Sequence, residues 1–203
     1  MLFRLIMARY FGLADYSNYV AAYSLASFTA IFFNLGLDTW LLREGSFQEN
    51  WKLSAQKVLS LKASIGLIWA GLLIGLAPSL RPDLFGFGLL ALCVADVWFD
   101  SLLITMLAVL NIKRDIKAYS VSILLLRGLK LIVLLVMIAV GSRSVMLIAG
   151  LRAAIAGGLA VAVFLMLRLD FRFARRQESL RMLRDSRAYT YSEFFSVIYM
   201  QAD

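Results

Sequence analysis

Residues Tyr119–Leu167 read YSVSILLLRGLKLIVLLVMIAV, GSRS, VMLIAGLRAAIAGGLAVAVFLML: two apolar runs joined by a Gly-Ser-Arg-Ser turn at Gly141–Ser144. At about 1.5 Å rise per residue, Tyr119–Val140 is long enough to cross a hydrocarbon core of roughly 30 Å, and Val145–Leu167 can cross back. Both are read as membrane spans. They carry Arg127, Lys130 and Arg152 deep inside apolar sequence. If the first span enters the membrane at Tyr119, Arg127 and Lys130 lie roughly 12 and 16 Å in, and Arg152 lies roughly 10 Å from the opposite face. A cation there is disfavoured by at least ~2.5 kcal/mol on insertion scales, so all three are expected to face other protein or a water-filled cavity. The functional question becomes which anion they meet.

The rest of the chain agrees with a membrane solvent. Hydrophobic residues make up 62% of the 203 and the mean hydropathy is +0.80, above what a soluble domain carries. Several apolar segments approach twenty residues, and none shows the ten-residue inside/outside alternation of an outer-membrane barrel. The class is all-α, a polytopic transmembrane helix bundle. Met1–Phe11 is apolar with Arg4 and Arg9 inside it and is followed by no small-residue cleavage site, so it reads as the tail of a span rather than a signal peptide. A single Cys93 and no His exclude disulfide frameworks, Cys/His metal sites and His-based triads. No cofactor, metal or catalytic residue is expected, nor is the chain expected to be an enzyme. The net charge of +8 is attributed to topology rather than to nucleic acid, because basic residues of membrane chains collect in cytoplasmic loops.

In order, a short loop at Gly12–Tyr16 precedes a span from about Tyr19 to Leu42 that contains Asn34, Gly36 and Asp38. The loop Arg43–Lys62 has Phe47 and Trp51 as headgroup anchors. A third span, Ala63–Ala77, begins before Lys62 and is ended by Pro78 and Pro82. Its Gly71 and Gly75 form a GxxxG packing motif. Gly88–Leu110 is a fourth span with Asp96 and Asp100 on one face at i,i+4. Gly150, Ala154 and Gly158 make a small-residue stripe on the sixth, with Arg152 off it. Arg168–Arg187 is Arg-rich, with Leu169, Phe173, Leu180 and Leu183 at helical spacing, and reads as an interfacial amphipathic helix. A seventh span starts at Tyr189. The loops 43–62, 111–117 and 168–187 hold fourteen Lys/Arg against three at the opposite boundaries (Arg9, Arg81, Arg143), which places the basic loops in the cytoplasm.

The stretch Ala8–Tyr19, ARYFGLADYSNY, followed by Asn34–Thr39, NLGLDT, and by Arg43-Glu44, resembles bacterial polysaccharide flippases. These are the O-antigen and exopolysaccharide translocases of the multidrug/oligosaccharidyl-lipid/polysaccharide exporter superfamily. Members show a small-Arg-x-Leu-Gly-x-x-x-Tyr-Gly stretch between the first two helices. Here Phe11 stands for the Leu and Ser17 for the Gly. The resemblance implies two pseudo-symmetric bundles around a central cavity, working by alternating access. On that pattern, residues 1–167 form an N-terminal lobe with an incomplete first helix, 168–187 a cytoplasmic inter-lobe helix, and 188–203 the start of a truncated seventh helix. The chain is thus expected to be an N-terminal-half fragment lacking its C-terminal lobe.

The resemblance further implies that the chain resides in the bacterial inner membrane as a multi-pass protein and serves lipopolysaccharide or related polysaccharide biosynthesis. Its partners would be the membrane and a polyprenyl-pyrophosphate-linked oligosaccharide, with no nucleic acid. Arg127, Lys130 and Arg152 would meet the pyrophosphate or acidic sugars, and Asp96 and Asp100 would couple ions or pair charges. A purely structural role for the cations is the competing expectation: they would pair with Asp96 and Asp100 across helices, leaving one of three cations over. Asp38 is expected to pair with Arg43. Glu193 faces either the cavity or the membrane interface, and Asn34 and Tyr23 either hydrogen-bond sugar or make interhelical contacts. Two other functions fit less well. An ion-coupled multidrug antiporter would want an acidic cavity, and a membrane-embedded transferase using Asp96-x-x-x-Asp100 to hold a metal diphosphate would want a second acidic motif.

Overall fold

The computed structural model describes residues 2–43, 47, 51–80, 86–174 and 176–202, and among them it is all-α, with no strand. Ten helices follow in order: α1 (Leu2–Tyr10), α2 (Leu13–Thr29), α3 (Ile31–Asn34), α4 (Leu37–Arg43), α5 (Trp51–Leu80), α6 (Phe87–Ile112), α7 (Ile116–Ala139), α8 (Val145–Leu167), α9 (Arg176–Asp185) and α10 (Arg187–Ala202). Helices α5 to α8 are each long and apolar enough to cross a membrane, and the bent run from α2 through α4 makes a fifth. The protein is a multi-pass membrane protein built as a helical bundle.

The bundle is organised on α6. This helix packs on α2, α4, α5, α7 and α8, most extensively on α8. Apolar residues fall on all its faces, so it can be surrounded by protein. Helix α7 sits at the other extreme: Leu124, Leu125, Ile132, Leu135 and Val136 are exposed, and only Ser122, Lys130, Leu134 and Met137 are buried. It is a peripheral helix whose outward side suits lipid. Both inner turns are capped in the ordinary way, Asp115 accepting from the Ala118 N–H and Ser144 from the Leu147 N–H.

Several boundaries differ from the sequence expectations. The second span is not one helix from Tyr19 to Leu42. It starts at Leu13, capped by Gly12, and bends by 46° between Asn34 and Leu37. Leu35 and Gly36 are both left-handed there, with φ of 47° and 62°. Gly36 lies so close to the backbone of Tyr189 and Thr190 at the start of α10 that a Cβ would have no room. Tertiary contact therefore fixes the break. The third span begins before Lys62, as read, but already at Trp51, so Lys52 and Lys57 of the expected loop are helical too, and Pro78 is held within its last turns. Pro78 does not end α5.

Gly71 and Gly75 have open space where a Cβ would be and pack nothing among the described residues. On α8 the buried small residues are Ala149, Ala153, Ala156 and Ala160. The close-packing stripe is thus not Gly150/Ala154/Gly158; Ala154 is exposed and Gly158 meets nothing within 4 Å. Of the described residues of the 168–187 segment, Arg176–Asp185 form α9 and Arg187 already begins α10. Leu169 is buried and Leu183 is half-buried against the same apolar cluster, whereas Phe173 and Leu180 face outward, so the four apolar residues do not share one face. Glu44, Gln48, Arg81 and Pro82 lie outside the described residues, as do the side chains of Arg4 and Glu193.

Candidate functional site

Asp96 and Asp100 stand one turn apart on α6, and the helices on either side each send a cation to them. From α7, Lys130 Nζ donates to Asp96 Oδ1 at 2.7 Å and to both oxygens of Asp100 at 2.8 Å. From α8, the Arg152 Nε and Nη2 groups both lie 2.9 Å from Asp96 Oδ2. The Arg152 guanidinium also sits over the ring of Tyr23 on α2, 4.9 Å from its centroid. Four helices are thereby tied at one level of the bundle. Asp96 is nearly sealed, while the Asp100 side chain keeps 25% of its surface.

The arithmetic of charge is informative. Two carboxylates meet two ammonium or guanidinium groups, so the cluster is neutral overall. In a low-dielectric interior this offsets much of the desolvation cost, provided that each charge is also hydrogen-bonded. Arg127, one turn before Lys130 on α7, is not part of the cluster. Its side chain is exposed, and among the described residues no carboxylate pairs with it. The three cations therefore divide: Lys130 and Arg152 are brought together with Asp96 and Asp100, and Arg127 is left over.

Arg127 and the cluster face one cavity of about 440 Å³. Its lining runs from Leu42, Asn111 and Tyr119 at the basic-loop end of the bundle to Asp100, Lys130 and Arg152 in its depth, with Ile104, Ile123 and Leu126 as apolar wall. Such a chamber has a charged floor and hydrocarbon sides, and among the described residues its one uncompensated charge is positive. It suits an amphipathic anion more than a cation.

A second polar network was not foreseen. Lys62 is fully buried on α5, and its ammonium donates to Asp38 Oδ2 at 2.6 Å, Thr105 Oγ1 at 3.0 Å and the Ser101 carbonyl at 3.1 Å. Thr105 Oγ1 donates in turn to Asp38 Oδ1 at 2.6 Å, and Ser101 Oγ donates to Asn34 Oδ1. Asp38 thus pairs with Lys62, and not with Arg43, whose guanidinium lies over the Tyr189 ring at 5.7 Å. Asn34 is an interhelical contact. The signal that could have found Lys62 is periodicity: Ala55, Val58, Leu59, Gly66 and Trp69 are all buried at helical spacing around it. Among the described residues no group of His, Cys, Asp and Glu could hold a metal ion. Compared with family models, with curated proteins and with solved structures, the chain matches none.

Proposed function

We propose that this bundle is one lobe of a translocase that carries a polyprenyl-pyrophosphate-linked oligosaccharide across the bacterial inner membrane, with its basic loops in the cytoplasm. The observation that supports this most is the cavity with a neutral ion cluster at its floor and Arg127 as a single surplus cation on its wall. A diphosphate entering from the basic-loop side gains two-pronged hydrogen bonding from a guanidinium. The apolar wall formed by Ile104, Ile123 and Leu126 accommodates the start of a prenyl chain.

In this reading Arg127 makes the first contact with the anion. Lys130 and Arg152 are held in reserve by Asp96 and Asp100, and a proton or Na⁺ taken up by Asp100, the more exposed carboxylate, would release Lys130 to the substrate. Binding and pairing then alternate, as an alternating-access cycle requires. The test is polysaccharide export in a strain that depends on this protein. Arg127→Ala is expected to lower surface polysaccharide at least tenfold with protein abundance unchanged, and Arg127→Lys less so. Parental export by an Arg127→Ala variant of normal abundance would refute the assignment.

A further inference from the structure

The Lys62 network is built like a cation site. Three oxygens of different kinds converge on one point: a carboxylate (Asp38), a hydroxyl (Thr105) and a main-chain carbonyl (Ser101). The ammonium at that point has three protons and uses each on one of them. A buried ammonium needs an acceptor for each of its three N–H groups, and here the three are a mixed set of carboxylate, hydroxyl and carbonyl oxygen, which is also the ligand chemistry of a hard cation. The fold supplies a second, independent sign. Asp38 lies in the first turn after the left-handed break at Leu35–Gly36, and interrupted membrane helices are where transporters gather oxygen ligands for monovalent ions.

We infer that the Asp38, Thr105 and Ser101 oxygens form a monovalent-cation site, and that the Lys62 ammonium is its permanent, covalently tethered occupant. The site binds α4, α5 and α6 at one point without a free ion. Because Asp38 also lines the cavity, the tethered charge fixes the carboxylate's place in the cavity wall whatever salt surrounds the protein. A free Na⁺ should take the same position once the ammonium is removed. The assignment does not depend on what the cavity carries.

The test uses the full chain in detergent, with unfolding followed by dye labelling of the single, buried Cys93. Midpoints are compared in NaCl and choline chloride at equal ionic strength. The parental protein should give the same midpoint in both. Lys62→Ala should unfold earlier in choline, and Na⁺ should raise its midpoint saturably, by about 5–10 °C at a hundred times the dissociation constant. Adding Asp38→Asn should abolish the Na⁺ response. Equal midpoints in the two salts for Lys62→Ala, or a Na⁺ response that survives Asp38→Asn, would overturn the inference. Lys62→Ser is run in parallel as a second emptied cage. If neither variant accumulates even when produced and extracted in Na⁺, the inference also fails, because a site that accepts Na⁺ would have been refilled.

Discussion

Two ion networks hang on neighbouring faces of α6, and they differ in what they leave over. The one at Lys62 is closed at its cation: one ammonium, three acceptors, no surface on the lysine, and a single carboxylate that borders the cavity but has its other oxygen taken by Thr105. The one at Asp96 and Asp100 is open. It has the same balance of charge but keeps part of Asp100 on a cavity, and it has Arg127 one turn away without a carboxylate among the described residues. The difference teaches that a buried charge in a membrane bundle is not by itself a sign of function. On the proposed function, what sets the second network apart is access and a surplus of one sign.

That contrast can be broken most severely at Asp96. Asp96→Ala takes from Lys130 one of its two carboxylates and from Arg152 the Asp96 carboxylate, and breaking a buried pair of this kind costs about 3–5 kcal/mol. Folded protein should nearly vanish, as measured by size-exclusion yield of a fluorescent fusion. Normal yield would mean that the cluster does not hold α6, α7 and α8 together. A smaller effect is expected at the break that presents Asp38. Gly36→Ala adds a Cβ at φ 62° against the Tyr189–Thr190 backbone and should lower stability by about 1–3 kcal/mol. Protease cleavage between α9 and α10 should speed up with it. The smallest effect on stability belongs to Arg127→Ala, within about 0.5 kcal/mol of the parent by Cys93 labelling, because an exposed side chain with no ion pair among the described residues gives up little. A large loss there would put Arg127 with the structural charges.

Much of the architecture was legible in the sequence because hydropathy over about twenty residues is a physical requirement of the bilayer. Val145–Leu167 is one helix as read, and the spans at α6 and α7 agree to within a few residues. The pairing of Lys130 and Arg152 with the two aspartates was legible too, since i,i+4 spacing put both carboxylates on one face and midplane cations need partners. Which cation would be surplus was not. That depends on the rotation of α7, and Lys130 rather than Arg127 turns inward with Leu134 and Met137.

Lys62 was hidden by its neighbours Lys52 and Lys57, which give the stretch the charge density of a loop although α5 already runs through it. The break at Leu35–Gly36 could not be read locally. Its cause lies more than 150 residues away, at Tyr189 and Thr190. The small-residue stripe on α8 failed for a subtler reason: Ala149, Ala153, Ala156 and Ala160 recur at i+3 and i+4 on a neighbouring face, and composition alone does not choose between the two faces.

The central claim is that the cavity presents one uncompensated cation to an amphipathic diphosphate while the other charges are paired. It is tested most directly by titrating the purified chain with a short-chain polyprenyl pyrophosphate and measuring its dissociation constant. The account predicts that Arg127→Ala weakens binding by about 10- to 100-fold, the worth of a charge-assisted hydrogen-bonded contact, with unfolding behaviour unchanged. Thr29→Ala, in the separate apolar groove between α2 and α5, should leave binding unaltered. An Arg127→Ala protein that binds the diphosphate as tightly as its parent would contradict the account.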